Sequence, residues 1–471
     1  MAIDKLGALL AAALIFSLPP AFAATQNEID NAWKYGLWWL IKSQNGDGYW
    51  ESQGDIKVIT TALAVQALNR APLRTLPFSK GVGWLSNANA GSVDALARQT
   101  LALSEAGLNP ARYLDLLMTR RLRLDRGAWG AYDRFGVSFP DTPLALAASR
   151  TSTPPRLTDQ EWIKGVCEIV VAQINPQAFS GTWSYFGATA SLSSLVTLMS
   201  PAVLPTALNL LELNAFTSIF SFPSGLSCYG LNFPDDALKT TIPNAGVAWL
   251  AARQNSDGGF GVGGLSTVFE TAHVYKALAT LSPTAPAKLA AENYIVSKVL
   301  ATQGGWGPGA NGDSLVTALV LSVLPPPSAA VLLDSDGDGI PNVVEALMGK
   351  NPLVADAGFV QGGNTGAGLR NSYQFPVPLV RNLAFSFSPI AVGGKAPYAW
   401  RLSAGALPTG MTVLGTSGVI SGKPTVAGNY SFAISMTDTA GASVTSTYDV
   451  VVSTFDGIAI LQTINAILVD D

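Results

Sequence analysis

Charge is scarce in this chain. Of 471 residues 13% are charged, 28 Lys and Arg against 32 Asp and Glu, for a formal net charge of −4. With no basic surplus and no basic run, nucleic acid and anionic membrane surfaces are not expected partners. Cysteine is nearly missing. Cys167 and Cys228 are the only two, too few to make a metal centre by themselves. In an oxidising compartment they could pair, but Cys167 lies on a predicted helix, where an unpaired buried thiol is equally expected. Histidine occurs once, as His273. Beyond the amino terminus no stretch is long and continuously apolar enough to span a bilayer.

What is present begins with the amino terminus. Lys5, an apolar run over 6–18 and Ala21-Phe22-Ala23 before Ala24 form the three parts of a secretory signal. The mature protein is expected from Ala24 onward, secreted or periplasmic and open to cell-surface association. No Cys follows the run, so a lipoprotein anchor is not expected. A chain of this length is too large for one ordinary core, which implies a multidomain protein.

The organising stretch is Gln44-Asn45-Gly46-Asp47-Gly48-Tyr49-Trp50, which recurs as Gln254-Asn255-Ser256-Asp257-Gly258-Gly259-Phe260 and, shortened, as Gln303-Gly304-Gly305-Trp306-Gly307. Glycine supplies positive φ where a helix ends, and Asn and Asp bond their own backbone in the turn. The aromatic ring then plugs the gap to a neighbour. Each copy therefore predicts a helical hairpin. Apolar periodicity gives the pairs 28–44 with 55–69, 78–87 with 92–106, 111–124 with 141–150, 158–174 with 188–199, 244–254 with 267–281, and 287–302 with 313–324. Thr158 and Glu161 make a capping box. Residues 204–219 read as an extra helical insert and 222–236 as a loop. The second helix of each pair is apolar on nearly every face, which predicts burial from several sides. Six such pairs can close on themselves, so an all-α, α/α toroid is expected over 24–327, ended by Pro325-Pro326-Pro327.

After the toroid come a calcium-binding loop and linker (328–357), a Gly-rich linker (358–371), a small all-β Ig-like sandwich (372–454) and a tail (455–471). Strands are expected at 384–387, 398–402, 419–421, 430–437 and 443–452, where short alternating runs lie between Gly and Pro turns.

Two sets of residues are candidates for function. Asp55, Asp94, Asp141, Glu270 and Asp313 stand at or near the starts of second helices, which in a toroid face one mouth. They can cap those helices and offset their dipoles, or form an acidic ring with Trp50, Trp129 and Trp306 nearby, suited to a glycan or another surface polymer. The other set is Asp334-x-Asp336-x-Asp338-Gly339-x5-Glu345. Hard oxygen ligands at alternate positions suit calcium, with Asp334, Asp336, Asp338, the Ile340 carbonyl, Asn342 and Glu345 as its ligands.

The Gln, Gly and aromatic turns resemble the repeats of the terpenoid cyclase and protein prenyltransferase superfamily, whose members are α/α toroids. Hopene cyclases of that superfamily protonate a polyene with Asp-x-Asp-Asp-Thr; here Phe139-Pro140-Asp141-Thr142 keeps only the last two positions, and Asp235-Asp236 lacks the Thr. Prenyltransferases hold zinc with Asp, Cys and His from inner helices. His273 has a similar setting, but 188–199 offers neither Asp nor Cys. The resemblance therefore implies the fold while its chemistry is incomplete, and a secreted binding or scaffold protein with a non-catalytic toroid is expected. The alternative is a polysaccharide lyase or hydrolase, with terpenoid cyclase or prenyltransferase activity behind it. The Asp334 loop, with Asn351-Pro352 and Asp356 after it, resembles the thrombospondin type 3 calcium repeat. Leu407-Pro408-Thr409-Gly410-Met411, Gly418-Val419-Ile420-Ser421-Gly422-Lys423-Pro424 and Ala427-Gly428-Asn429-Tyr430 resemble the Ig-like, cadherin-related domains of bacterial surface proteins.

Overall fold

The computed structural model describes residues 23–453 except 52–53, 123–126, 133–135, 152–156, 186–200, 308–310, 355–369, 372–378, 383–384, 388–390, 393–398, 414, 416–417, 438–440 and 442. Residues 1–22 of the expected signal peptide, the expected helix 188–199, Asp356, residues 358–369 of the expected Gly-rich linker and the tail lie outside the described residues, whereas Arg370 and Asn371, expected to end that linker, form a strand.

Twelve helices pair as six hairpins: α1 (Gln26–Ser43) with α2 (Gly54–Arg70), α3 (Leu76–Leu85) with α4 (Val93–Glu105), α5 (Ala111–Thr119) with α6 (Asp141–Ser149), α7 (Asp159–Val171) with α8 (Val203–Thr217), α9 (Ile242–Ala251) with α10 (Val268–Leu281), and α11 (Pro286–Ser297) with α12 (Ser314–Val323). The second helices pack in the order α2, α4, α6, α8, α10, α12 and back to α2, a closed inner ring with the first helices outside it. Closure leaves no end of the array to cap.

One joint recurs in five of the six hairpins. The turn's aromatic residue donates its backbone N–H to a threonine hydroxyl on the inner helix: Trp50 to Thr61 at 3.2 Å, Trp129 to Thr142 at 3.1 Å, Trp183 to Thr206 at 3.1 Å, Phe260 to Thr271 at 2.9 Å and Trp306 to Thr317 at 2.9 Å. The four indoles donate back to the outer helix, to the carbonyls of Leu40, Leu117, Ile169 and Ile295. All four rings are fully buried. They plug the seams between helices and are closed to a ligand, so the expectation of Trp50, Trp129 and Trp306 beside a cleft is corrected. In the second hairpin Gln99 replaces the joint, its amide donating to Leu85 and Ala88 carbonyls.

The turn glutamines link successive hairpins. Gln44 Nε2 donates to Gly48 O and to Pro77 O at the start of α3, and Gln254 Nε2 does the same to Gly258 O and Ala287 O on α11. Gly48 (φ 105°) and Gly258 (φ 86°) need their missing Cβ twice over, since one built there would stand 2.4 Å from Lys80 O and 2.8 Å from Ala290 O.

The structure changes three readings of the sequence. The stretch expected as an insert is α8 itself, the fourth inner helix: it packs between α6 and α10, and Thr206 makes the joint with Trp183. Twenty-three residues separate the two partners where the other four joints span eleven or thirteen, which hid the repeat. The expected loop 222–236 contains a hairpin of β1 (Leu226–Cys228) and β2 (Leu231–Phe233). Its Cys228 is disulfide-bonded to Cys167 on α7, with Cα atoms 5.2 Å apart. Asp235 and Asp236 open the helical turn that runs into α9, where Asp235 pairs with Lys239 at 2.8 Å.

Helix α13 (Asn342–Met348) and the segment before it dock on the toroid wall. Trp33 Nε1 donates to Pro325 O at 2.6 Å, Ser328 N–H and Oγ–H donate to Asp30 at 2.8 and 2.6 Å, and Ile340 and Val344 are fully buried. The carboxyl-terminal region is all β. Strands β4 (Leu379–Val380), β11 (Ser443–Ser453), β10 (Gly428–Thr437) and β7 (Ala399–Gly405) form one sheet in that order; β5 (Phe385–Phe387), β9 (Ile420–Gly422) and β8 (Met411–Val413) form a second, and β3 (Arg370–Asn371) pairs with β6 (Ala391–Val392). Phe432 and Tyr448, 5.6 Å apart, and Trp400 fill the core beside the long sheet.

Candidate functional site

The inner helices run parallel, so their amino-terminal ends share one mouth. The five expected rim acids are all there, and each is engaged by the backbone or by a neighbour. Asp55 accepts from Gly91 and Ser92 N–H at 2.7 and 2.5 Å, across the gap to α4. Asp313 caps its own helix through Val316 N–H at 2.8 Å, and Glu270 accepts from Thr267 Oγ1 at 3.1 Å. Asp141 is buried; it accepts from Asp94 N–H at 3.1 Å and from the Ser138 hydroxyl. Asp94 in turn is ion-paired with Arg98, one turn on. Side chains placed this way serve the positive ends of the inner helices.

Burial still shifts some of these groups. It raises the Asp141 carboxyl above the usual range against the Ser138 hydrogen bond, and neighbouring Asp94 adds to the effect. It raises Glu270 as well, and the Tyr185 phenol near Glu270 goes up with it. The sequence reading missed Glu51. Burial and then the charge of Asp313 raise its carboxyl, and it takes a left-handed φ of 71°. A non-glycine residue held in that region stores strain. Its position directly after Trp50, at the start of the second helix, was the available signal.

Further down the lumen, helices α4 and α10 stand three places apart in a ring of six, directly opposite one another. Their side chains interact all the same. His273 on α10 is 4% exposed, and its Nδ1 lies 3.0 Å from Phe269 O, which makes Nδ1 the protonated nitrogen. Nε2 is then an acceptor, buried and without a hydrogen-bond partner. Burial, with the Arg98 guanidinium from α4, pushes the imidazole down to about 3. Lys276, one turn further along α10, is solvent-exposed, yet burial and then Arg98 lower its ammonium, while Glu105 of α4 opposes. Exposure and desolvation conflict only for a surface residue. A side chain standing in a narrow lumen is touched by water and still surrounded by protein on every side. Glu105, also exposed, is raised by burial in the same way and accepts from Gln66 Nε2 at 3.0 Å. Among the described residues no group of Asp, Glu, Cys and His in the lumen could hold a metal.

The carboxylates of Asp334, Asp336 and Asp338 do come together, with ligand atoms within 4.8 Å of one another, and could hold a metal ion. The loop is pre-folded by its own backbone: Gly337 and Gly339 N–H both donate to Asp334 at 2.8 Å, and Ile340 N–H to Asp338 at 2.8 Å. Gly337 and Gly339 take φ of 75° and 93°, and the second presses on Thr75 at the start of α3. Asp336 Oδ2 is buried without a hydrogen-bond partner, and Glu345 is fully buried beneath the loop, outside the triad. Asn342 Oδ1 accepts from Ser335 N–H at 2.8 Å, which ties the two ends of the loop.

Residues 370–453 match the family described as "Putative Ig domain". The carboxyl-terminal segment is an Ig-like domain. That domain and the Cys167–Cys228 disulfide fit an extracellular protein, and no helix among the described residues is long and apolar enough to cross a membrane. No curated protein matches the chain. Among solved structures it is similar to the type II terpene cyclase MstE from Scytonema, at 14% identity and a TM-score of 0.41 over 63% of this chain and 97% of that one. It is similar also to a glycoside hydrolase family 15 glucoamylase from Hypocrea jecorina, at 10% identity and 0.28 over 92% and 91%. A candidate alpha-galactosidase from Bacteroides fragilis matches at 21% identity and 0.16, over 19% of this chain and 18% of its own, so the chain spans under a fifth of that protein. At these scores none of the three bears on activity or ligand.

Proposed function

We propose that the protein is a secreted binding or scaffold protein: a non-catalytic toroid that holds a glycan, a calcium-loaded loop on its wall, and an Ig-like module for spacing or adhesion. The observation that carries this reading is the engagement of the rim. Asp55, Asp94, Asp141, Glu270 and Asp313 all cap or pair with the fold's own groups, which leaves none of them as a free base. His273, neutral and sealed from solvent, is no better placed for proton transfer at neutral pH.

Calcium suits the loop because every expected ligand offers oxygen: the triad of Asp334, Asp336 and Asp338, the Ile340 carbonyl, Asn342 and Glu345. The buried, unpartnered Oδ2 of Asp336 supports a ligand role. The bound ion would neutralise carboxylates that otherwise repel one another.

One observation favours a second reading, a polysaccharide lyase or hydrolase. Asp141 lies beside Asp94 and its carboxyl is raised, an arrangement in which one acid stays protonated while its neighbour ionises. The experiment is to offer glycans to the isolated protein and follow both binding and product. Binding without turnover supports the first reading. Product release that Asp141→Asn or Glu270→Gln abolishes overturns it.

A further inference from the structure

We propose that the segment 325–348 is a calcium-set clasp. It holds shut the one seam of the ring that no hairpin-to-hairpin connection crosses, and loss of the ion loosens that seam ahead of the others. This rests on the reading that the Asp334 loop binds calcium, and it gives the ion a task in the toroid.

Five of the six seams between neighbouring hairpins are tethered covalently, because the second helix of one hairpin leads into the first helix of the next. A short tether keeps two neighbours at high effective concentration. The sixth seam, between α12 and α1, joins the last hairpin to the first and has no such connection. It lacks the glutamine link as well. Gln44 and Gln254 reach the next outer helix at Pro77 O and Ala287 O, whereas the corresponding Gln303 is exposed and makes no such bond among the described residues. Along the carboxyl half of α1 the seam is held by Gly305 N–H on Tyr35 O at 3.0 Å, by Trp39 Nε1 on Ser314 Oγ at 3.2 Å and by the Lys42 ammonium on Gln303 O. At Gly36 the helices touch, since a Cβ there would stand 2.9 Å from both Leu321 and Trp306.

The segment after α12 holds the other half. Where it leaves the helix, Leu324 O accepts from Arg70 Nε at 3.0 Å and Pro325 O from Trp33 Nε1 at 2.6 Å, and Ser328 donates twice to Asp30. It then buries Val331, Ile340 and Val344, lays α13 on α1, and brings Gly339 so close to Thr75, just ahead of α3, that a Cβ would stand 2.8 Å from the Thr75 Cβ. The segment therefore spans hairpins six, one and two, and the calcium loop is its far end. There the carboxylates of Asp334, Asp336 and Asp338 crowd together, with ligand atoms within 4.8 Å of one another. A bound ion neutralises them and fixes the turn that presses Gly339 on Thr75. Without it their repulsion works against that turn, and the seam keeps only the bonds to Trp33 and Asp30.

Amide hydrogen exchange on the full-length protein, followed by mass spectrometry in calcium and in EGTA, reads each hairpin separately. Chelation should speed exchange roughly tenfold in α1 and α12 and leave α6 and α8, on the far side of the ring, unchanged. Asp30→Ala removes the bonds to Ser328 and touches no residue of the loop. It should loosen the same seam even in calcium, while calorimetry shows calcium uptake as in the unaltered protein; Ser328→Ala should do the same to a smaller degree. Faster exchange spread evenly over all six hairpins refutes the clasp. So does a seam as well protected in EGTA as in calcium when calorimetry shows that the ion binds, although the calcium site then stands. A protein that takes up no calcium refutes the calcium reading and the clasp together.

Discussion

Two adjacent threonines on α2 give a sharp test of what holds the hairpins together. Thr60 and Thr61 are both fully buried. Thr61 Oγ1 receives the Trp50 backbone N–H at 3.2 Å, whereas Thr60 Oγ1 has no hydrogen-bond partner. Substitution by Val removes one hydroxyl and adds one methyl at either site, and the two outcomes should have opposite sign. At Thr61 the change strands a buried N–H, which costs about 2 kcal/mol. At Thr60 it removes a hydroxyl that was desolvated without compensation, which gains about 1 kcal/mol. Urea denaturation of each full-length variant, compared at constant m-value, measures the difference. Thr271→Val and Thr317→Val should follow Thr61, since they receive Phe260 and Trp306 in the same way. If Thr60→Val is as damaging as Thr61→Val, volume and not the hydrogen bond governs these positions, and the account of the joint is wrong.

Further outcomes follow from other parts of the molecule. The Cys167–Cys228 bond spans 61 residues, and by loop-closure entropy a bridge of that span stabilises by about 4 kcal/mol; a reductant that leaves the thermal transition unmoved would contradict the pairing. Calorimetry should show calcium uptake at a Kd of roughly 10⁻⁴ to 10⁻³ M, weakened at least tenfold by Asp336→Ala or Glu345→Ala. Since Ile340 and Val344 are buried against the toroid, a chelator should also lower the toroid's melting temperature, and unchanged melting would mean the loop is only a linker. For His273 the folded value of about 3 lies below the ordinary 6.5, so the unfolded state takes up a proton first: stability is intact above pH 6.5 and is lost as the pH falls toward 3. That single group accounts for a loss on the order of 3 to 5 kcal/mol. His273→Gln should flatten the acid limb of the stability profile, and a limb of unchanged steepness would refute the buried neutral imidazole.

Much of the fold is written locally. The Gln-Asn-Gly-Asp-Gly turns, the capping box at Thr158 and the apolar second helices are short-range signals, and they specify hairpins whose boundaries came out within a few residues. The exceptions are α5, which ends at Thr119 where 124 was expected, because Arg121 bridges to Trp129 instead of extending the helix, and α11, which ends at Ser297 where 302 was expected. The alternating strands and Gly turns of the Ig-like domain are equally local, and so is the spacing of Asp334, Asp336 and Asp338. What the sequence could not decide is set by contacts between distant residues. Thr206 belongs to the fourth inner helix because Trp183, 23 residues earlier, donates to it, and no local period marks that span. Whether Cys167 and Cys228 pair depends on a β hairpin folding back over α7. The rim acids read equally well as caps or as a site until Asp55 is seen bonded to Gly91 and Ser92 of the next hairpin. Arg98 and His273 are 175 residues apart in the chain, and only closure of a ring of six helices sets them face to face across one axis.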